Sequence, residues 1–309
     1  MFVIRTVKTL FYTDHYPLSL PEEHRFPIRK YQLTRDLLAA LGYFRFEPAP
    51  LADPRTVELS HDPEYVGAFL AGSLSAQAMR RIGFPWSEML VKRTLASVGG
   101  TLAATKEALA TGWGGTLAGG THHAFRGEGS GYCVFNDIAV AIEWLRTTGK
   151  INRAAIVDLD VHQGDGTAQI FQKEPDVLTL SVHCEVNFPF RKQQSKIDVA
   201  LAEGVSDEEY LRVLEQVLPR VIEFEPEIVF YQAGADPLYS DALGKLKLTH
   251  EGLIARDQMV LTAVKRSGLP LVITMGGGYS KPIELTAQAH ANTYRLAAET
   301  LGTGSPIEN

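Results

Sequence analysis

The sequence has little cysteine, no excess of basic residues and no long apolar run. Cys133 and Cys184 are its two cysteines in 309 residues, too few for a disulfide scaffold and typical of a reducing compartment. Acidic residues outnumber basic ones by 36 to 30, so the sequence does not predict a protein that binds nucleic acid through bulk positive charge. The apolar runs are shorter than the ~20 residues that span a bilayer, and no membrane partner is expected.

The N-terminus lacks the unbroken apolar segment of a signal peptide, because Arg5 and Lys8 interrupt it. We therefore expect a cytoplasmic protein. With 45% hydrophobic and 21% charged residues, the composition excludes a disordered chain and is sufficient for a large core. Because no internal repeat and no linker-like tract divides the chain, we expect a single domain over residues 1–309.

Short apolar runs alternate with amphipathic segments, which predicts an α/β fold with a mostly parallel sheet and helices on both faces. The runs at 116–118, 154–160, 177–183, 228–233 and 269–275 are nearly continuous in apolar character, as expected for strands buried on both faces. Helices are predicted at 91–110, 136–147, 206–224, 250–265 and 283–301, and a capping box of Ser206 and Glu209 opens the third. We expect short helices and loops in the first ~60 residues.

Histidine, aspartate or tyrosine stands beside glycine where several predicted strands end. The segments are 119–123 (GGTHH), 158–165 (DLDVHQGD), 234–236 (GAD) and 276–279 (GGGY). Ligand sites of open α/β sheets lie beyond the carboxyl ends of the strands. The sequence therefore predicts that these segments meet at one site.

The first acidic segment indicates a metal site. Asp158, Asp160 and His162 are spaced by two residues, which places them on one face of a strand. Burying them is costly unless they are paired or bind a metal, and the alternative is a hydrogen-bonded polar network at the sheet edge. Asp160, His162 and Asp236 would give O, N and O donors with a position left open for water, as at a catalytic zinc. Fe(II), Co(II) and Mn(II) accept the same donors.

The paired histidines and the tyrosine indicate catalysis. A lone histidine is usually a hydrogen-bonded core residue, but His122 and His123 are adjacent in a glycine loop at a strand end. Each needs a partner to fix its tautomer, and Asp158 and Asp165 are available. Tyr279 follows three glycines, where its hydroxyl could donate to a polarised carbonyl. The alternative is a tyrosine that packs on the loop.

Together with 131–137 (GYCVFND), these segments make the chain resemble the zinc-dependent histone deacetylase family, which includes acetylpolyamine amidohydrolases and acetoin-utilisation proteins. Within that family it looks closest to class IV. The class IV features are Gln163, where many members have a second histidine, and the segments 191–194 (RKQQ) and 236–244 (DPLYSDALG).

The resemblance implies the arginase/deacetylase fold, in which helices flank an eight-stranded parallel sheet. It implies zinc on Asp160, His162 and Asp236, and a structural potassium near Asp158, Asp160, His162 and Ser181. It makes His123 with Asp165 the general base and then acid, His122 with Asp158 its electrostatic partner, and Tyr279 the group that polarises the carbonyl. Gly131 and Tyr132 would line the acyl tunnel, with Phe188 or Phe190 opposite; of these two we assign Phe190 to the substrate site.

The implied activity is removal of an acyl group, acetyl or longer fatty acyl, from the amine of an acyl-lysine through metal-activated water. The alternative is a small-molecule deacylase of the acetylpolyamine type, which would need acidic rim residues such as Glu22, Glu23 and Glu185. Two further hypotheses remain. An arginase-like binuclear manganese hydrolase would leave Tyr279 without a role, and a catalytically inactive binding module would be excluded by turnover.

Overall fold

A computed structural model describes residues 7–303 of the chain, so the residues from which we argued against a signal peptide, apart from Lys8, lie outside the described range. Eight strands are present in that range: β1 (Lys8–Tyr12), β2 (Phe44–Pro48), β3 (Trp113–Leu117), β4 (Ala154–Asp158), β5 (Val177–Cys184), β6 (Ile197–Leu201), β7 (Ile228–Gln232) and β8 (Leu271–Thr274). The same range contains ten helices: α1 (Arg29–Ala39), α2 (Pro54–Val57), α3 (Pro63–Leu70), α4 (Ala76–Ile82), α5 (Glu88–Thr111), α6 (Asp137–Thr147), α7 (Asp165–Phe171), α8 (Asp207–Glu223), α9 (His250–Ser267) and α10 (Ile283–Leu301).

The strands form one eight-stranded sheet in the order β2-β1-β3-β8-β7-β4-β5-β6, and every pairing in it is parallel. The six strands other than the edge strands β2 and β6 are mostly or wholly buried, which accounts for the largely apolar sequences of β4, β5, β7 and β8. The predicted α/β fold with an eight-stranded parallel sheet is confirmed. No helix in residues 7–303 has the length and apolar content needed to cross a membrane.

The prediction for the first ~60 residues was incomplete, because β1 and β2 lie there and form one side of the sheet. β2 alternates polar and apolar residues as an edge strand, and β1 begins with a charged residue, so neither has a continuous apolar run. The buried Lys8 amine contacts Thr111 and pairs with Glu107 of α5 at 3.6 Å, which explains how a lysine is accommodated inside the sheet.

Strand β3 begins three residues earlier than predicted, and the reason lies in its glycines. A Cβ atom on Gly114 would lie 2.0 Å from the carbonyl oxygen of Ala104, and one on Gly115 would lie 2.8 Å from the ring of Tyr294. Helices α5 and α10 therefore pack directly on the backbone of this strand. Gly99 of α5 similarly lies against the backbone carbonyl of Pro50.

Two local predictions need correction. Ser206 occupies the N-cap position of α8, but its side chain makes no capping hydrogen bond. The neighbouring Asp207 carboxylate instead accepts from the N–H and hydroxyl of Thr249, at 2.8 and 2.6 Å, so the start of α8 is tied to the start of α9. Strand β4 ends at Asp158, and Asp160 and His162 follow it in a loop, so these residues do not lie on one strand face.

The order of the strands brings the segments singled out from the sequence together. β3, β8, β7 and β4 are neighbours in the middle of the sheet. Because all are parallel, the segments that follow them leave the sheet at the same edge. Large apolar clusters pack around the sheet, so this edge rests on a rigid core.

Candidate metal centre and active site

A buried group of potential metal ligands lies beyond β4 and β7. Asp160, His162 and Asp236 offer ligand atoms that all lie within 4.8 Å of one another. His162 Nδ1 lies 3.0 Å from Asp160 Oδ1 and 3.2 Å from Asp236 Oδ2. All three side chains are buried. The structure therefore assembles the O, N and O donor set that the sequence predicted.

The two carboxylates are held by backbone donors. The N–H of Gly277 donates to Asp160 Oδ2 at 2.7 Å, and the N–H of Val161 donates to Asp236 Oδ1 at 2.9 Å. A Cβ atom on Gly277 would lie 1.9 Å from the Asp236 carboxylate, so only glycine allows this approach. One oxygen of each carboxylate is thus fixed and the other faces His162.

An arginine that no sequence pattern indicates joins the loops that carry the two carboxylates. Arg256 of α9 is buried and donates to the carbonyl oxygens of Leu159 at 3.3 Å and Gly234 at 2.6 Å. Asp257 pairs with its guanidinium at 2.8 Å and also accepts from Tyr231. A charged residue on an amphipathic helix normally indicates the solvent face, so periodicity alone gives no signal for this role.

The carboxylates control the protonation of this group. Burial alone would lower the pKa of His162, but hydrogen bonds to Asp160 and Asp236 and the charges of both raise it to about 10. Burial and the nearby charge of Asp160 raise the pKa of Asp236 to about 7, against the opposing effect of His162. Burial alone would also raise the pKa of Asp160, but the charge of His122 and the hydrogen bonds of His162 hold it well below its usual value. Without a cation the protons thus lie on His162 and Asp236, and a bound metal ion would displace them.

Two histidine–aspartate pairs face the metal-ligand group. His122 Nδ1 donates to Asp158 Oδ2 at 2.7 Å, and His123 Nδ1 donates to Asp165 Oδ1 at 2.6 Å. The structure therefore forms both pairings expected from the sequence. All four side chains are buried, so each carboxylate fixes the tautomer and orientation of its imidazole.

The two imidazoles titrate differently. Burial lowers the pKa of His122, but the charges of Asp158 and Asp160 outweigh it and raise the pKa to about 9. Burial and the charge of His122 lower the pKa of His123 to about 4, against the opposing effect of Asp165. The His122 imidazole thus favours its protonated form, and the His123 imidazole favours its neutral form. Neutral imidazole is the form that accepts a proton.

The loop that carries His122 and His123 is positioned by Asp137 at the start of α6, a residue with no predicted role. Its carboxylate accepts from the N–H of Gly120 at 3.1 Å and of Thr121 at 2.7 Å, and from the hydroxyl of Thr101 at 2.5 Å. Asn136 forms the N-cap of the helix and accepts from Ala139 at 3.0 Å. The Asn-Asp pair before an apolar helix was a signal for the cap but not for the loop contact.

Tyr279 lines a cavity together with the two histidines and the metal-ligand group. The loop of Tyr279 is fixed by Asp241, a second carboxylate without a predicted role. Asp241 Oδ2 accepts from the Tyr279 N–H at 2.6 Å, while Asp241 Oδ1 accepts from Leu243 and Gly244, both at 2.8 Å. The Lys30 amine donates to the carbonyl oxygen of Gly276 at 3.0 Å. Burial raises the pKa of the Tyr279 hydroxyl well above its usual value, so this hydroxyl stays protonated and can donate.

A cavity of about 540 Å³ leads to this group. Gly131 and Tyr132 line it as expected, and a Cβ atom on Gly131 would lie 2.8 Å from the His123 ring. The assignment of Phe190 to the substrate site needs correction, because this side chain is 86% exposed and lies outside the cavity lining. Phe188 lines the cavity instead, with its ring centroid 4.9 Å from that of His123. The two phenylalanines are two residues apart, and spacing alone could not decide between them.

Residues 24–296 match the model of the histone deacetylase domain. Since this is most of the chain, the protein belongs to the histone deacetylase family, whose members are deacetylase hydrolases.

Three relatives illustrate the similarity. An uncharacterized protein of Picosynechococcus sp. strain PCC 7002 is 45% identical over 292 residues, which are 93% of this chain and 97% of that protein. Histone deacetylase 2 of Arabidopsis thaliana is 37% identical over 188 residues, 60% of this chain and 49% of that protein. The acetoin utilization protein AcuC of Bacillus subtilis is 31% identical over 259 residues, 74% of this chain and 65% of that protein. The match thus spans about half to two thirds of the length of these two named relatives.

Proposed function

We propose that this chain is a zinc-dependent amidohydrolase that removes an acyl group, acetyl or longer, from the amine of an acyl-lysine. One observation carries the proposal. Two histidine–aspartate pairs and Tyr279 surround the buried group of Asp160, His162 and Asp236 at the end of an open cavity. A general base, a carbonyl-polarising donor and a set of metal ligands are the groups that hydrolysis of an unactivated amide requires.

The donor set fits zinc. Zinc binds carboxylate oxygen and imidazole nitrogen at ~2.0–2.2 Å with tetrahedral geometry, which sets the ligand atoms ~3.3 Å apart. The separations of 3.0 and 3.2 Å from His162 Nδ1 to the two carboxylates agree with this. Zinc held by these residues would lower the pKa of its bound water and polarise the acyl carbonyl. We also propose a structural potassium near Asp158 and Ser181, which are register partners in β4 and β5.

The residues of the chain then have separate tasks. Neutral His123, oriented by Asp165, accepts the proton of the attacking water and later protonates the leaving amine. Tyr279 donates to the acyl oxygen as negative charge develops there. His122, paired with Asp158, supplies a compensating positive charge beside the reacting centre. The rings of Tyr132 and Phe188 line the cavity and exclude water from the acyl chain.

Placement within class IV is part of the same proposal. Gln163 supports it, because its side chain bonds to the backbone N–H and carbonyl of Gln193, both at 2.8 Å, and so joins two of the segments on which the resemblance rests. The free, buried Cys133 and Cys184 support a cytoplasmic location. We further propose that residues 1–309 form a single catalytic domain.

Hydrolysis of acyl-lysine peptides tests the proposal. Peptides that carry acetyl, octanoyl and myristoyl groups are incubated with zinc-loaded protein, with acetylputrescine in parallel and Asp236→Asn as the control that cannot bind zinc normally. We expect peptide deacylation that a chelator abolishes and added zinc restores. Turnover of acetylputrescine alone would move the protein to the small-molecule alternative, and no turnover of any substrate with zinc bound would contradict the proposal.

A further inference from the structure

We propose that the substrate carries an anionic group, a carboxylate close to the acylated amine, and that Arg25 and Arg80 at the mouth of the cavity select it. The inference rests on the proposed deacylase function and adds the chemical class of its substrate. It concerns the charge around the acylated nitrogen and leaves the length of the acyl chain open.

The charge of the cavity wall is the first observation. The lining residues include Arg25, Arg80 and Arg81, all exposed, and the acidic residues among them are the metal-ligand candidates Asp160 and Asp236. The acidic rim that a cationic polyamine would need is not formed, because Glu22, Glu23 and Glu185 lie outside the lining. The mouth is thus basic in a protein whose formal net charge is −6.

The arginines are held at the mouth by the backbone. Arg80 and Arg81 lie in the last turn of α4. The N–H of Gly131 donates to the carbonyl of Arg81 at 3.2 Å, and the N–H of Tyr132 donates to the carbonyl of Ile82 at 2.8 Å. The turn that carries the arginines is therefore bonded directly to the wall of the substrate cavity.

Arg25 reaches the same wall from the segment before α1. Arg25 and Tyr132 line the same cavity. Arg81 pairs with Glu128, whereas no carboxylate in residues 7–303 forms an ion pair with Arg25 or Arg80. Two uncompensated guanidinium groups thus flank the entrance.

Unpaired positive charge at the mouth of a cleft discriminates between ligands. The low dielectric of the walls concentrates the field in the opening, which attracts anions and repels cations. A guanidinium binds a carboxylate through two parallel hydrogen bonds. The carboxylate can come from an acidic residue beside the acyl-lysine of a protein or from a small acylated amine. An acetylpolyamine presents an ammonium group to the same arginines and is disfavoured.

Matched substrates of opposite charge test the inference. One set consists of acetyl-lysine peptides that differ only in flanking residues, with glutamate, glutamine or lysine on both sides. The second set compares N-acetyl-4-aminobutanoate with N-acetylputrescine, which have similar lengths and end in a carboxylate and an ammonium group. In the set that the protein hydrolyses, we expect kcat/KM at low salt to be about tenfold higher for the anionic substrate than for the cationic one. The set that is turned over distinguishes a protein substrate from a small molecule.

Two variants isolate the arginines. Arg25→Gln and Arg80→Gln should each lower the preference for the anionic member by about threefold, and the double variant should nearly abolish it with little change for the neutral peptide. Arg212→Gln is the matched control, because Arg212 is exposed and pairs with Glu208 on α8. Arginines also suit the last turn of a helix, so the readout is the ratio between substrates, which a change in folding leaves unaltered.

The outcomes separate this inference from the proposed function. A preference for the anionic member that falls in high salt and in the double variant supports it, because salt screens exposed charges. Equal turnover of all flanking charges, or a preference for lysine flanks or acetylputrescine, would overturn the inference and leave the deacylase function intact. No turnover of any substrate by zinc-loaded protein would overturn both.

Discussion

Asp241→Asn changes the carboxylate that fixes the Tyr279 loop. Burial raises the pKa of Asp241, and its three N–H donors oppose this rise. In asparagine, one oxygen can keep the bonds to Leu243 and Gly244, but the amide nitrogen then faces the Tyr279 N–H, which lies 2.6 Å from Asp241 Oδ2. A hydrogen bond to a charged group is worth ~1.5–3 kcal/mol. If Tyr279 loses that much positioning energy, kcat falls by ~10- to ~150-fold.

The assay measures kcat and KM for an acetyl-lysine peptide, together with zinc content and the denaturant midpoint. Asp207→Asn is the matched control, because Asp207 also holds a loop through two short bonds, to the N–H and hydroxyl of Thr249, away from the cavity. We expect both variants to lose similar stability and only Asp241→Asn to lose kcat, with zinc retained. Full kcat in Asp241→Asn, or an equal loss in Asp207→Asn, would refute the reasoning.

Three further predictions concern single residues. Tyr279→Phe should lower kcat by ~10²–10³, and an unchanged turnover number would remove its hydroxyl from the reaction. Gly131→Ala should raise KM for acyl peptides at normal zinc content, because the new methyl group meets the rings of His123 and Phe188 at 2.8 and 3.2 Å; an unaltered KM would contradict this. Burial lowers the pKa of His61 to about 4, so the folded state holds it neutral while the unfolded chain protonates it near pH ~6.5. Its stabilising effect is complete above that pH, and about 3 kcal/mol is lost as pH falls to 4. Denaturation measured from pH 7.5 to 4 should therefore show a smaller fall in the free energy of unfolding for His61→Gln than for the native chain.

The parts of the site that were predictable share one property: each lies in the chain segment directly after a buried strand. Asp160, His162 and Asp236 could be found because charged residues follow apolar runs and the carboxyl ends of parallel strands meet. The groups that hold the site residues in place could not be found in this way. Arg256 acts from the middle of a helix, and Asp241 acts across 38 residues through backbone N–H groups, so neither leaves a pattern in local periodicity.

The strands were predictable where burial on both faces imposes an apolar run, as in β5 and β7. The predicted β3 was too short because close packing of α5 requires glycine, which carries no apolar signal. β2 was missed because an edge strand is bounded by water on one side. In Phe188 and Phe190 the residue type was right, but the conformation of a loop decides which ring faces inward, and loop conformation is not encoded in a periodic pattern.

The position of β8 in the sheet has a consequence for synthesis of the chain. Among the strands of residues 7–303, β8 is the last to be synthesised, yet it lies between β3 and β7 in the middle of the sheet. Until residues 271–274 emerge, the strands already made can pair only as β2-β1-β3 and as β7-β4-β5-β6, and β3 and β7 then have no partner on the side where β8 belongs. Such edges invite pairing with other chains. Chaperone dependence and aggregation should therefore be greatest for polypeptides truncated just before β8, and the segment that fills the gap between β3 and β7 is also the one that leads into Tyr279.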